Sequence, residues 1–172
     1  VSILATSCSS DDDATENTTT TATGTETICQ TTYETVLVSA STDGIGTTTW
    51  TKNKVYVIDG FVFVNDGQTL TIEPGTIIKG NYGTGAEASA LIIAQGGKIM
   101  AQGTALEPII FTSTADETTR DVNGDICLGN NLDASSVGLW GGVIILGKAG
   151  ITNGASANIE GIPTTESRGI YG

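Results

Sequence analysis

Phe61-Val-Phe-Val-Asn-Asp-Gly67 runs into Thr69-Leu-Thr-Ile72, then Pro74-Gly75, then Thr76-Ile-Ile-Lys79. The same phrase returns as Leu91-Ile-Ile-Ala-Gln-Gly-Gly97, Lys98-Ile-Met-Ala101, Gly103-Thr104 and Pro108-Ile-Ile-Phe-Thr112. Val143-Ile-Ile-Leu-Gly147 opens it a third time, and the repeat is expected to continue to Ile151. Each phrase reads as strand, tight turn, strand, tight turn, strand. Leu70 and Ile72 fall on one face of their strand, and Thr69 and Thr71 on the other. Pro74 lacks a ladder donor and Gly75 tolerates positive φ, so the pair ends the strand. One such unit cannot bury its apolar face alone and must stack on its neighbours. Aligning Leu70 with Ile99 also aligns Gly67 with Gly96 and brings Pro74-Gly75 near Gly103-Thr104. An antiparallel sandwich also has short strands and Gly turns. Aliphatic residues recurring at matching positions favour parallel, in-register stacking instead. The expected fold is all-β, a right-handed parallel β-helix (a solenoid). Four to six inward aliphatics per coil, at roughly 1.5–3 kcal/mol each, would hold successive coils together.

Composition agrees. The 172 residues include 23 Gly, 38% are apolar and only 15% are charged, which suits short strands joined by turns. The formal net charge is -12, so a nucleic-acid partner is disfavoured. The chain has no His, which excludes Ser-His-Asp and Cys-His catalysis and His-bearing zinc sites within it.

The expected organisation has three parts. Residues 1–7 are a signal-peptide remnant. Residues 8–27, acidic and then Thr-rich, have few bulky apolar groups and form a disordered tether. Residues 28–172 are an N-terminal cap and the first coils of the solenoid, with Thr35-Val-Leu-Val-Ser39 as one early strand. The third phrase begins close to Gly172 and no polar cap follows it, so the chain is expected to be the front of a longer protein. Two insertions interrupt the phrases, Gly80–Ser89 and the much longer Ser113–Gly138.

Candidate chemistry is sparse. Asp121, Asn123 and Asp125 place oxygens at alternate loop positions, as in the first half of a calcium loop. Asp116, Glu117 and Asp133 are available to complete a Ca2+ shell. The competing reading is an Asx-rich turn without metal. Cys29 and Cys127 form either a disulfide, tying the start of the folded region to the long insertion, or two buried thiols. Trp50 and Trp140 either stack on a sugar ring or cover the coil. Arg120 and Arg168 are candidate bases or anion contacts, without a recognisable catalytic setting. Glu73, Glu107, Glu160 and Glu166 lie in turns, where spacing alone assigns no carboxylate pair.

Cys8 follows Ala5-Thr-Ser7 and the apolar Ile3-Leu4. This resembles the lipobox of bacterial lipoproteins, with Ala5 where that family prefers Leu. The resemblance implies cleavage before Cys8 and acylation of its sulfur and amine, with each buried methylene contributing about 0.8 kcal/mol of anchoring. Ser9-Ser10-Asp11-Asp12-Asp13 resembles the export signal that sends Bacteroidetes lipoproteins to the outer face of the outer membrane. Trp50 to Gly80, Leu139-Trp-Gly-Gly-Val-Ile-Ile-Leu-Gly147 and Ile159-Glu-Gly-Ile-Pro163 resemble a large group of Bacteroidetes surface lipoproteins. That likeness implies a right-handed parallel β-helix at the cell surface and carries over no catalytic residue. The expected role is a lipid-anchored, non-enzymatic adhesive or scaffold protein. Its expected partners are outer-membrane lipid through Cys8, and surface glycans or other proteins. The alternative is a polysaccharide lyase or glycoside hydrolase working in a groove along the β-helix. That chemistry needs paired carboxylates, or an Arg or Lys base with calcium, on one face across coils.

Overall fold

The structure is a computed structural model that describes residues 33–172 apart from 153 and 155. The signal remnant, the tether, Cys8, Ser10, Asp11, Asp12, Asp13 and Cys29 lie outside the described residues.

The chain winds through successive coils. The first holds β1 (Glu34–Ser39) and β2 (Thr48–Trp50). The second holds β3 (Lys54–Asp59), β4 (Phe61–Val64) and β5 (Thr69–Ile72). The third repeats this as β6 (Ile77–Gly80), β7 (Ala90–Ile93) and β8 (Lys98–Ala101). The fourth begins with β9 (Ile110–Ser113). An insertion carrying β10 (Thr119–Arg120) and β11 (Ile126–Cys127) follows, and the coil resumes as β12 (Val143–Ile145). Two last strands, β13 (Ala157–Asn158) and β14 (Ile170–Tyr171), pair with each other.

Like strands stack into three sheets, visited in order around each coil: β1-β3-β6-β9, then β4-β7-β12, then β2-β5-β8. Every pair within these three sheets is parallel. Antiparallel pairing among named strands is confined to the β10–β11 and β13–β14 hairpins. This is a parallel β-helix. Leu70 lies beside Ile99, as the repeated phrase predicts. The turns stack as well: Gly67 N–H donates to Gly96 O at 3.2 Å, and both glycines have positive φ (76° and 85°). Two turns of one shape can rest on each other because neither carries a Cβ at that strained position.

Inward side chains form apolar columns. Val36, Tyr56, Ile78 and Phe111 make one, Val62 and Leu91 a second, and Trp50 and Ile72 a third. Trp50 is buried and stacks on Tyr56, with ring centroids 4.7 Å apart. Both rings belong to the core, as the coil-covering reading of Trp50 expects.

Two features depart from the sequence reading. The third phrase does not run on as a coil to Ile151. After β12 the chain leaves the stack, and Ile151 makes only an isolated bridge with Gly154. The second sheet is also buried on both faces. Val62, Val64, Leu91 and Ile93 face the coil interior, while Phe63, Ala90 and Ile92 face a second apolar cluster with Leu146, Ile159 and Ile162. Its strands are therefore continuous apolar runs, the pattern of a sheet covered on both sides.

Candidate functional site

The outer faces of the three sheets differ, and that difference decides what the surface can do. The long insertion lies over the first sheet. Lys79, which points outward from β6, donates to Asp116 O at 2.7 Å. Burial holds the Lys79 amine below its ordinary pKa, against the opposing pull of Asp116. Asp116 accepts from Thr112 Oγ1 at 2.6 Å and from Thr118 N–H at 2.8 Å. Burial is the largest single influence on Asp116 and pushes its pKa up. The Thr112 and Thr118 hydrogen bonds, with Lys79, outweigh it, so the carboxyl sits below its ordinary range.

Arg120, in the same insertion, is buried, 4% exposed. Its two terminal nitrogens donate to Gly75 O and Gly124 O, and its Nε has no partner. The guanidinium thus fastens the insertion to the Pro74-Gly75 turn. It is enclosed by main chain, and neither the base nor the anion-contact role finds a free face there.

Asp121, Asn123 and Asp125 share one turn, as the sequence predicts. Asp121 Oδ1 accepts from Asn123 N–H at 2.8 Å and Asp125 N–H at 2.9 Å, and Oδ2 accepts from Asn123 Nδ2 at 3.3 Å. Tyr33 OH donates to Asp121 O at 3.2 Å. The Asp125 N–H is the largest of the influences that hold the Asp121 carboxyl below its ordinary pKa. This is an Asx-turn network in which the would-be ligand already accepts three hydrogen bonds. Among the described residues no three Asp, Glu, Cys or His side chains group as a metal site would require. Cys127 is disulfide-bonded. The other two cysteines, Cys8 and Cys29, lie outside the described residues.

Trp140, at the end of the insertion, turns inward. A Cβ built on Gly80 would lie 2.2 Å from its ring, so the indole fills the place of a side chain in the inner column between Ile58 and Ser113. Trp140 covers this part of the coil and, half-buried, also lines a cleft with Phe111, Thr112 and Leu132.

Residues 156–172 form a strap over the second sheet. Arg168 holds it. Its Cζ stands 3.9 Å from the Phe63 ring centroid, and Nη1 donates to Ser41 O at 2.8 Å and Thr42 O at 3.2 Å. Nε and Nη2 donate to Glu166 at 2.7 and 2.5 Å. The Arg168 hydrogen bonds pull the Glu166 carboxyl below its ordinary pKa, the side-chain bond most of all. At the far end, Gln95 Nε2 donates to Gly147 O at 2.8 Å and Gly172 O at 2.9 Å. Sequence reasoning considered Arg168 only as a base or anion contact. Glu166 is two residues away, but its other partners, Ser41, Thr42 and Phe63, are too distant along the chain to leave a local signal.

Among the described residues, no segment clads the third sheet in this way. Thr49, Thr71 and Met100 form one outward column, and Thr69 and Lys98 the next. Thr49, Lys98 and Met100 are exposed. The Lys52–Glu107 ion pair stands in the adjoining turns, and its Lys52 hydrogen bond lowers the Glu107 pKa. Glu73 accepts from Lys52 N–H in the same region. Glu160 lies within the strap near Ile145 and Tyr171, and Glu166 is paired with Arg168, so the four turn glutamates do not converge.

Stacked parallel sheets wound by one chain define a β-helical protein. The family model described as the pectate-lyase-like β-helix domain matches residues 39–165, most of the chain, and the chain belongs to that family. No curated protein matches the chain, and no solved structure matches it.

Proposed function

We propose that this β-helix is a lipid-anchored cell-surface protein that makes adhesive or scaffold contacts through the outer face of its third sheet. The observation that carries the reading is the unequal cladding of the coil. Two outer faces are covered by the chain's own insertion and strap, and the third presents Thr49, Thr69, Thr71, Lys98 and Met100. Rows of short hydroxyls on a flat, rigid sheet suit contact with a surface glycan or another protein.

In this reading Cys8 is acylated and Ser10, Asp11, Asp12 and Asp13 direct export to the outer face of the outer membrane. The tether then holds the coil away from the lipid. Cys29 pairs with Cys127 and fixes the insertion against the first sheet. The calcium alternative at Asp121, Asn123 and Asp125 is less favoured, because Asp121 already accepts hydrogen bonds from its own turn. A lyase or hydrolase reading would require converging carboxylates, or an Arg or Lys base with calcium, on one face across coils. Asp116, Asp121 and Glu166 each point instead into local hydrogen bonds.

The test is expression behind a complete leader in a Gram-negative host fed an alkyne-tagged fatty acid. Label on the parent protein, its loss in Cys8→Ala, and cleavage by protease added to whole cells are expected. An unlabelled parent protein overturns the anchor. Depolymerisation of polygalacturonate or another acidic polysaccharide by the purified protein overturns the non-enzymatic role.

A further inference from the structure

On the outer face of the second sheet, between the strap and the shorter insertion Gly80–Ser89, lies a cleft of about 200 Å³. Phe61 and Ile144 of the sheet line it, with Ala88 of the insertion and Glu160 and Ile162 of the strap. Phe61 and Ile144 are half-buried and pack against the apolar cluster beneath the strap. Among the described residues, Glu160 is the only charged group lining the cleft, and it is exposed. The same face already shows what a ring from β4 and a carboxylate from the strap can hold. Phe63, two residues along β4, shares the outward side with Phe61. The Arg168 guanidinium stands 3.9 Å from the Phe63 ring centroid, and its Nε and Nη2 donate to Glu166.

We propose that the cleft at Phe61 and Glu160 binds an arginine side chain of a partner protein. The Phe63–Arg168–Glu166 group is the template, and the cleft repeats its two fixed parts, an outward β4 phenylalanine and a strap glutamate. Size agrees with one side chain, since small-molecule sites begin at roughly 300 Å³. Charge agrees as well. The chain carries a formal net charge of -12, which draws a cationic partner and repels an anionic one. A guanidinium can stack on an aromatic ring while its planar fork meets a carboxylate, which an ammonium does less well. The aliphatic stem of the arginine has Ile144 and Ile162 to lie along. The cleft is on the flank of the sheet, so the inference requires nothing of the β12 edge. It is also independent of lipid anchoring and of the third-sheet contact face.

The experiment titrates the isotope-labelled full chain with acetyl-Gly-Arg-Gly-amide and follows the amide resonances. Two further peptides replace arginine by citrulline, its neutral isostere, or by lysine. Expected are saturable shifts at the Ala88, Gly141 and Gly161 amides, which border the cleft. The citrulline peptide should bind at least about fivefold more weakly, and the lysine peptide at least about twofold. Glu160→Gln should weaken arginine-peptide binding at least about fivefold. Ala88→Leu, which fills the cleft from its half-buried side, should weaken it by as much. An unchanged melting temperature verifies the fold of each variant, and Glu160→Gln alters only an exposed side chain. Absence of saturable shifts, or shifts confined to other faces, overturns the proposal. So does citrulline- or lysine-peptide binding equal to that of arginine, or full binding by Glu160→Gln.

Discussion

Gly80→Ala should destabilise the protein out of proportion to the single methyl it adds. Gly80 closes β6 in the inner column, and its φ is not among the positive ones. Alanine there is free of backbone strain and, through the unfolded chain, would by itself contribute about 0.4–1 kcal/mol of stability. The new Cβ, however, falls 2.2–2.6 Å from three atoms of the Trp140 ring. Carbon atoms pack at roughly 3.5–4.0 Å, so the indole must retreat by more than about 1 Å. Over-packing of this size costs about 1–3 kcal/mol, and full expulsion of the ring would cost more. We expect a net loss of about 0.5–2.5 kcal/mol, or a fall in Tm of roughly 1–10 °C for a domain of this size. Urea unfolding followed by fluorescence is the assay, since buried Trp50 remains as a reporter. Gly150→Ala, which meets nothing within 4 Å, is the control and should stay within about 0.5 kcal/mol of the parent. In Gly80→Ala/Trp140→Ala the clash is gone, so the double variant should be at least about 1 kcal/mol more stable than the sum of the singles. Parent-like stability of Gly80→Ala, or strict additivity, refutes the packing argument.

Other consequences are open to direct measurement. Glu166 has a carboxyl pKa held below its ordinary 4.5, so its contribution is full above that value and is lost as the pH falls through the folded-state pKa. Glu166→Gln should therefore flatten the acid limb of a stability-versus-pH curve. Arg168→Ala should cost about 1–3 kcal/mol and speed amide exchange in the strap, and Arg168→Lys should recover only part, because an ammonium lacks the planar fork. Cys127→Ser should cost about 2–4 kcal/mol, and non-reducing peptide mapping of the parent should recover a fragment linking Cys127 to Cys29. Millimolar calcium should leave Tm unchanged; a clear rise abolished by Asp121→Asn would restore the metal reading.

The coil was legible because its signals are local and recur. The alignment of Leu70 with Ile99 and of Gly67 with Gly96 needed only the repeated phrase. The double burial of the second sheet was also written in the chain, though it is easily passed over. Phe61-Val-Phe-Val64 has no polar break, whereas Thr69-Leu-Thr-Ile72 alternates. The Asx character of Asp121–Asp125 was readable for the same reason, since every partner of its carboxylate lies within four residues. The strap and the indole plug were not legible. Arg168 meets Ser41 across 127 residues, and Trp140 meets Gly80 through the absence of a side chain. Neither pairing leaves a period or a motif, because both depend on how the insertions fold back over a finished coil.

A stack held only by contacts between adjacent turns can lose its terminal turns one after another. The strap alters that order of events. It departs from the fourth coil, crosses the second sheet, and through Arg168 grips Ser41 and Thr42 in the first. Fraying of the first turn would tear at a segment that leaves the fourth, so these two turns come apart together or hold together.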